Sequence, residues 1–152
     1  MRNTNLEFLL FSFLLLTGCK LYMDKVYGIE VVNDSSDEVM FFVASLGWEN
    51  LYPDTLLPAT ELSFRSIASG RSSTRYSDLE WEEIIQELPA DTLSVFILDP
   101  VVLENRAWED VRDNYRVLKR YDLSITDLER LEFRVTYPPN QNMEGIRMFP
   151  PN

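Results

Sequence analysis

Histidine is absent from this sequence of 152 residues. Its absence excludes the Ser-His-Asp triad, the Cys-His nucleophile pair and the common zinc sites, which all depend on an imidazole. Glycine occurs five times, and the sequence contains neither a P-loop nor a Gly-x-Gly-x-x-Gly motif, so a phosphate-cradling loop is not expected. An enzyme with this sequence would have to use carboxylate, tyrosine, lysine or serine chemistry, and no cofactor or metal is implied.

Cysteine occurs once, at Cys19, directly after an apolar run. The run, Phe8–Leu16, has nine residues and is interrupted only by Ser12. A helix that spans a bilayer needs about 20 apolar residues, whereas the apolar region of a secretory signal typically has about 7–15. The length of the run therefore predicts a secretory signal rather than a transmembrane helix.

The four residues Leu16-Thr17-Gly18-Cys19 resemble the bacterial lipobox, in which an aliphatic and two small residues precede a cysteine. The resemblance implies that the Cys19 sulfur receives a diacylglycerol, that the chain is cleaved between Gly18 and Cys19, and that the new amino terminus is acylated, for example with palmitate. One acyl chain holds a protein only marginally, whereas two or more anchor it stably. The alternatives are an ordinary signal peptide with an incidental cysteine and a buried amino-terminal helix.

The charge of the sequence bears on its partners and location. The net charge is −11, and the segment before Cys19 adds nothing to it because Arg2 offsets Glu7. Such an acidic protein is not expected to bind nucleic acid or anionic lipid headgroups, so the lipid must provide the membrane contact.

Lys20 is not the aspartate with which enteric bacteria retain lipoproteins in the inner membrane. An outer-membrane location is therefore expected, and the sequence leaves open whether the protein faces the periplasm or the medium.

Three segments follow from these features. We predict a lipoprotein signal peptide over residues 1–18, a lipidated tether over 19–28 and a single globular domain over 29–152. The domain is expected to be α+β, mainly antiparallel β and sandwich-like, with two or three short helices. Strands are predicted at Ile29–Val32, Val39–Ala44, Glu61–Ile67, Leu93–Leu98, Arg116–Tyr121 and Phe133–Tyr137, the first two as a hairpin.

Two helices are predicted from capping boxes, in which Ser is followed three residues later by an acidic residue. Ser77-x-x-Glu80 would begin a helix whose apolar stripe is Trp81, Ile84, Ile85 and Leu88. Ser124-x-x-Asp127 would begin another that ends near Leu131. A third short helix is expected over Asn105–Asn114, and Ser69–Thr74 is expected to be a polar loop.

Three stretches resemble a group of small lipoproteins of Bacteroides-type bacteria: YPDTLLP (Tyr52–Pro58), DTLSVFILD (Asp91–Asp99) and residues Asn114–Pro139. The most specific part is Leu118–Ser124, followed by Asp127-Leu128 and Tyr137-Pro138. That group has no established activity. The resemblance therefore implies a lipoprotein of a Gram-negative envelope and transfers no catalytic residues.

The segment Lys119-Arg120-Tyr121-Asp122 is the densest polar and aromatic cluster. On a strand, Arg120 and Asp122 would share one face, and Arg120 could donate two hydrogen bonds to an anion or a sugar. The structural alternative is ion pairing, because residues 77–91 hold six acids and no base whereas 106–134 hold seven basic residues. Exposed pairs of this kind are common and individually weak.

Trp48 and Tyr52 lie in a segment rich in turn residues, where aromatic side chains are harder to explain by packing. They are candidates for a ligand or partner surface, unless they cover the core as a lid. Asp34, Asp37 and Glu38 could bind calcium through oxygen, but they lack the EF-hand spacing and its glycine, and a turn explains them equally.

The sequence thus favours a lipid-anchored envelope protein with a non-catalytic binding or assembly role, whose partner would be another envelope protein or a glycan. A small carboxylate-dependent hydrolase is the alternative from another class, although no pair of carboxylates stands out as acid and base. A purely structural lipoprotein is the third interpretation.

Overall fold

A computed structural model of the protein describes residues 26–45, 57–58 and 63–151. Its strands are β1 (Tyr27–Asn33), β2 (Val39–Ala44), β3 (Arg65–Ile67), β4 (Arg71–Ser77), β5 (Leu93–Leu98), β6 (Lys119–Leu123), β7 (Arg134–Tyr137) and β8 (Arg147–Phe149). Its helices are α1 (Trp81–Gln86), α2 (Pro100–Asn105), α3 (Trp108–Asp113) and α4 (Ile125–Arg130). Single 3₁₀ turns occupy Pro89–Asp91 and Gln141–Met143. The expected α+β, mainly β fold is confirmed.

The strands form two sheets. The three-stranded sheet has the order β4-β1-β7, and β1 is antiparallel to β4 but parallel to β7. The five-stranded sheet has the order β3-β2-β5-β6-β8 and is antiparallel throughout. The cis Tyr137-Pro138 bond follows β7, which lies at a sheet edge as its two following prolines predict.

The main core lies between the two sheets. Ile29, Val31 and Val135 enter it from the three-stranded sheet, since alternate residues of a strand share a face. Helices α1 and α4 close it with further buried apolar side chains, and the predicted stripe of α1 is fully included. The buried members of that stripe are Trp81, Ile84, Ile85 and Leu88.

A second apolar cluster covers the opposite face of the five-stranded sheet. Phe42 and Phe96 stack there with ring centroids 4.5 Å apart, and Trp108 and Val111 of α3 pack on them. The Trp108 indole N–H donates to the Pro58 carbonyl at 2.9 Å. Because the sheet is covered on both faces, all six residues of β5 are buried, as its nearly continuous apolar sequence predicts.

The predicted hairpin of the first two strands is wrong, because β1 and β2 belong to different sheets. Asn33, which is completely buried, fixes the crossing. Its side-chain amide donates to the Asp37 carbonyl at 2.7 Å and to the Ile67 carbonyl at 2.9 Å, while its oxygen accepts from the Ser35 amide. These bonds join the end of β1 to the end of β3 in the other sheet.

The polar loop expected at Ser69–Thr74 is also wrong, because β4 begins at Arg71 and pairs with β1 along its whole length. All seven of its residues are exposed or half-buried, as an edge strand allows. Likewise, β1 begins at Tyr27, so the last two residues of the expected tether are part of the sheet.

One of the two predicted capping boxes is confirmed. Ser124 accepts from the Asp127 amide at 3.1 Å, and the Asp127 carboxylate accepts from the Ser124 amide at 3.1 Å, so both halves of the box are present. The box at Ser77 is wrong: Ser77 is the last residue of β4, and α1 begins after Glu80 without a side-chain cap. Among the described residues, no helix has the length and hydrophobicity needed to cross a membrane.

Candidate functional site

Five residues were predicted to form the lipid anchor or a ligand or partner surface, and one of these five, Arg120, falls within the described part of the chain. Gly18 and Cys19 of the lipidation motif lie outside the described residues, as do Trp48 and Tyr52 of the candidate partner surface. Within the described residues, the candidate locations for a site are the surroundings of Arg120 and the cavities.

Arg120 lies in the middle of β6 and is only 8 % exposed. Its Nη2 donates to Asp122 Oδ2 at 3.0 Å, and its Nε lies 3.0 Å from Oδ1 without a well-directed hydrogen bond. Nη1 donates to the Tyr115 hydroxyl at 2.7 Å. The guanidinium carbon is 5.9 Å from the ring centroids of both Tyr115 and Phe149. We call these four residues the Arg120 cluster.

The Arg120 cluster is a buried polar network in which the carboxylate is fully used and Arg120 Nε is the one guanidinium nitrogen without a well-directed hydrogen bond. Asp122, 4 % exposed, also accepts from the Ser94 hydroxyl at 2.8 Å, so both of its oxygens are used. Burial raises the pKa of the Tyr115 phenol, and the positive charge of Arg120 opposes that rise. Because the buried guanidinium of Arg120 is paired with a carboxylate of its own strand, these contacts favour a structural role for Arg120 over a ligand or partner surface.

Several other basic side chains between residues 106 and 134 also have partners within the fold. Arg112 contacts Asp113 at 2.8 Å and Arg116 contacts Asp110 at 2.9 Å. Neither pair reaches the acidic block at 77–91 that the charge distribution indicated. Lys119, whose pKa is lowered by burial, donates to the Pro150 carbonyl at 2.9 Å. Arg134 pairs with Glu30 of β1 at 3.3 Å, so not every pair is local, but none of these three arginine pairs joins the two blocks.

A cavity of about 390 Å³ lies where the two sheets meet. Its walls come from the turn between β1 and β2, the start of α2, the residue before β6 and the end of β7. They consist of Ser35, Asp37, Glu38, Val39, Asp99, Pro100, Val101, Leu118 and Tyr137. Three carboxylates and a phenol thus line a depression that has an aliphatic wall, and we call it the acidic cavity.

Local structure fixes each carboxylate of the acidic cavity. Asp99 is the N-cap of α2, where its Oδ1 accepts from the Val101 amide at 2.8 Å. Glu38 accepts a hydrogen bond from the Ser66 hydroxyl, and Asp37 accepts from Ser36 at 2.9 Å. The carboxylates therefore have neutral donors as partners, and their negative charges remain uncompensated by these contacts.

The pKa of the Tyr137 phenol is affected by the negative charge of these carboxylates. Its pKa is raised first by burial and then by the charges of Asp99 and Asp37. Its backbone is held by the Asp34 amide, which donates to the Tyr137 carbonyl at 2.7 Å. A phenol next to two carboxylates favours a ligand that brings positive charge and disfavours a phosphate or a carboxylate.

A second, more open cleft of about 300 Å³ lies beside the start of α4. It is lined by Asp122, Ser124, Asp127 and Arg147, among others. Asp122 is bound to Arg120, and Ser124 and Asp127 form the capping box. The carboxylates of this cleft are thus paired with cations, Asp122 with Arg120 and Asp127 with Arg130 at 3.5 Å. The contacts given above for the carboxylates of the acidic cavity are to neutral donors, so the acidic cavity is the better candidate site.

Calcium binding at Asp34, Asp37 and Glu38 finds no support within the described ranges, where no three acidic, thiol or imidazole groups are arranged to hold a metal ion. Asp37 and Glu38 line the acidic cavity, but Asp34 does not. Sequence reasoning missed Asp99 and Tyr137. Asp99-Pro100 carried a usable signal, because an N-cap aspartate followed by proline at the first helical position is typical of a helix start.

The arrangement can hold a small group of positive charge, such as an amine or a guanidinium, against carboxylates and an aliphatic wall. Comparisons with models of known protein families, with curated proteins and with solved structures found no match for this chain.

Proposed function

We propose that this protein is a lipid-anchored protein of the bacterial cell envelope whose globular domain has a binding or assembly role and performs no catalysis. The observation that carries the proposal is the position of Cys19, directly behind an apolar run and two small residues. The lipid would hold the protein at the outer membrane, and the domain would contact another envelope protein or a glycan.

The geometry of the acidic cavity supports binding over catalysis. General acid–base chemistry with two carboxylates needs one group that holds a proton and one that does not. Here Asp99 caps a helix and Glu38 accepts from Ser66, so both carboxylates already act as hydrogen-bond acceptors in the fold. Such groups are better placed to attract a cationic ligand than to transfer protons.

The anchor is tested by fractionating cells that express Cys19→Ala or Thr17→Ala. Alanine at position 19 removes the sulfur, whereas alanine at position 17 keeps a small residue in the motif. We expect Cys19→Ala to leave the membrane fraction and Thr17→Ala to remain in it. Equal membrane retention of Cys19→Ala and the unchanged protein would refute the anchor. Protease treatment of intact cells then reports whether the domain faces the medium.

The binding role is tested by titrating the domain with argininamide and, as a probe of opposite charge, with succinate, while methyl NMR signals of Val39 and Leu118 are followed. Argininamide should shift both signals and succinate should not. The charge-neutral variant Asp37→Asn should weaken the argininamide response severalfold. Equal responses to the two probes would contradict a cation-selective cavity.

A further inference from the structure

Three exposed apolar side chains lie at one corner of the three-stranded sheet. Tyr76 is 59 % exposed, Leu79 is 53 % exposed and Val26 is 52 % exposed. Val26 directly precedes Tyr27, which pairs with Ser77, so residue 26 enters the sheet beside the segment that carries the other two. We call Val26, Tyr76 and Leu79 the Tyr76 patch.

The outward position of Tyr76 is fixed by its neighbour across the strands. Tyr76 pairs with Gly28, and a side chain at Gly28 would lie 3.3 Å from the Tyr76 ring and 2.7 Å from the Thr74 methyl group. The ring therefore lies over the bare backbone of Gly28, on the face opposite to the buried Ile29. An aromatic ring with a polar tip in this position has the character of side chains found at the membrane–water interface.

The chain that leads to the anchor ends at this patch. Seven residue steps separate Cys19 from Val26, which limits their separation to roughly 25 Å at full extension. Among the exposed apolar residues that the structure describes, those of the Tyr76 patch include the one nearest to Cys19 in sequence. If Cys19 carries lipid, the patch is therefore held close to the bilayer. The contrasting case is Val101, 61 % exposed on α2, which lies 75 positions further along the sequence than Val26.

We propose that the Tyr76 patch docks on the lipid surface and fixes the orientation of the domain on the membrane. This inference rests on the proposed lipid anchor at Cys19. The occupant is a bilayer of zwitterionic lipid, because Asp78 lies between Tyr76 and Leu79 in the sequence and Glu82 and Glu83 of α1 follow within four positions of Leu79. We call these three residues the acidic border, whose charge would repel anionic headgroups. The patch adds apolar contact to an attachment that the acyl chains already provide.

The test uses the full lipidated protein on phosphatidylcholine vesicles. A fluorophore is attached at Leu79→Cys or, as the matched control, at Val101→Cys, since the lipid occupies the native sulfur of Cys19. Quenching of the fluorophore by acrylamide, a neutral quencher that the acidic residues do not repel, measures exposure to water, and cosedimentation with the vesicles measures anchoring separately. We expect quenching at position 79 to fall at least about threefold on vesicles, with little change at position 101.

Quenching of the same two labels is also measured in the Cys19→Ala variant, to show whether something other than a bilayer covers the Tyr76 patch. Without lipid or vesicles, both labels should be quenched equally, and protection of position 79 there would mean that residues 20–25 or a second copy cover the patch, which overturns the inference. Cosedimentation with equal quenching on vesicles would also overturn it while leaving the proposed function intact. Failure to cosediment would overturn the proposed function and this inference together.

A second variant ties protection to the patch itself. Tyr76→Ser should restore quenching at position 79 and leave cosedimentation unchanged, whereas Phe149→Ser, at another exposed aromatic residue, should not affect quenching. Vesicles with added anionic lipid should protect position 79 less than phosphatidylcholine alone. Stronger protection by anionic lipid would contradict the role assigned to the acidic border.

Discussion

The Arg120 cluster and the acidic cavity use charge in opposite ways. In the cluster, a buried carboxylate faces a guanidinium at 3.0 Å and a serine hydroxyl at 2.8 Å. In the cavity, Asp99 and Glu38 face a backbone amide and a hydroxyl, and the nearby phenol of Tyr137 has its pKa raised by carboxylate charge. The first region balances its charge within the fold, and the second leaves negative charge facing solvent.

This difference separates structural polar groups from groups that remain open to a ligand. The pKa shifts of two tyrosines, one in each region, differ in the sign of the charge that contributes to them. Burial raises the pKa of both, but Arg120 opposes the rise at Tyr115, whereas Asp99 and Asp37 add to it at Tyr137. The acidic cavity therefore differs from the Arg120 cluster in the sign of the charge beside its tyrosine. The density of polar residues along the sequence does not reveal this difference.

The largest effect should come from breaking the buried pair. Asp122→Ala leaves Arg120 and the Ser94 hydroxyl without their acceptor, and we expect a loss of about 3–5 kcal/mol in the free energy of unfolding, measured by chemical denaturation. Asp113→Ala breaks a pair whose carboxylate is 61 % exposed and should change the free energy by less than about 1 kcal/mol.

The double variant Arg120→Met with Asp122→Leu removes both charges and should recover most of the lost stability, since burying apolar groups of similar volume replaces the pair. If Asp122→Ala and Asp113→Ala destabilise the protein equally, the distinction between buried and exposed pairs fails.

A smaller effect is expected from Tyr115→Phe. The substitution keeps the ring beside Arg120 but removes the hydroxyl that accepts from Nη1 at 2.7 Å. We expect a loss of about 1–2 kcal/mol, because a hydrogen bond to a charged group is lost. Thermal unfolding measures it, and an unchanged midpoint would show that water replaces the hydroxyl without cost.

In the acidic cavity, the helix cap and the charge of Asp99 can be separated. Asp99→Ala removes the bond to the Val101 amide and should cost about 1 kcal/mol. Asp99→Asn retains a capping oxygen and removes one of the like charges, so it should leave stability unchanged within a few tenths of a kcal/mol. A cost for Asp99→Asn equal to that for Asp99→Ala would mean that the charge itself is needed by the fold.

The smallest effect concerns alkaline pH. Because the folded-state pKa of Tyr137 is raised, its contribution to stability is complete below the unfolded value of 10.0 and is lost as pH rises above it. Tyr137→Phe should therefore lose less stability than the unchanged protein between neutral pH and pH above 10.0. Tyr115 and Lys119 are common to both proteins and their pKa shifts do not involve Tyr137, so their titration cancels in the difference. An identical pH dependence would contradict the assignment.

Features set by local contacts could be predicted from the sequence. The box of Ser124 and Asp127 involves a single helical turn, and the apolar sequence of β5 reports burial on both faces. The same pattern at Ser77 failed because Ser77 pairs with Tyr27, fifty positions earlier, and that partner leaves no trace in the local sequence. Strand β4 was missed for the same reason, since its polar residues are stabilised by pairing with β1.

The acidic cavity could not be predicted because its walls come from segments that are distant in sequence. Asp37 and Asp99 meet Tyr137 only because the chain crosses between sheets after Asn33 and returns at the end of β7. At Arg120, the strand pattern correctly placed Asp122 on the same face. The sequence could not show that Tyr115 and Phe149 would enclose the pair, since Phe149 comes from β8, which was not predicted.

Strand β1 lies between β4 and β7, and it is the strand into which residue 26 leads. Its hydrogen bonds to both neighbours run across the strand axis. A pull applied at the amino-terminal end of β1 and directed along it would load these bonds in shear, all at once, rather than open them one after another. The position of β1 would therefore make the domain mechanically resistant at the point where a membrane tether would transmit force to it.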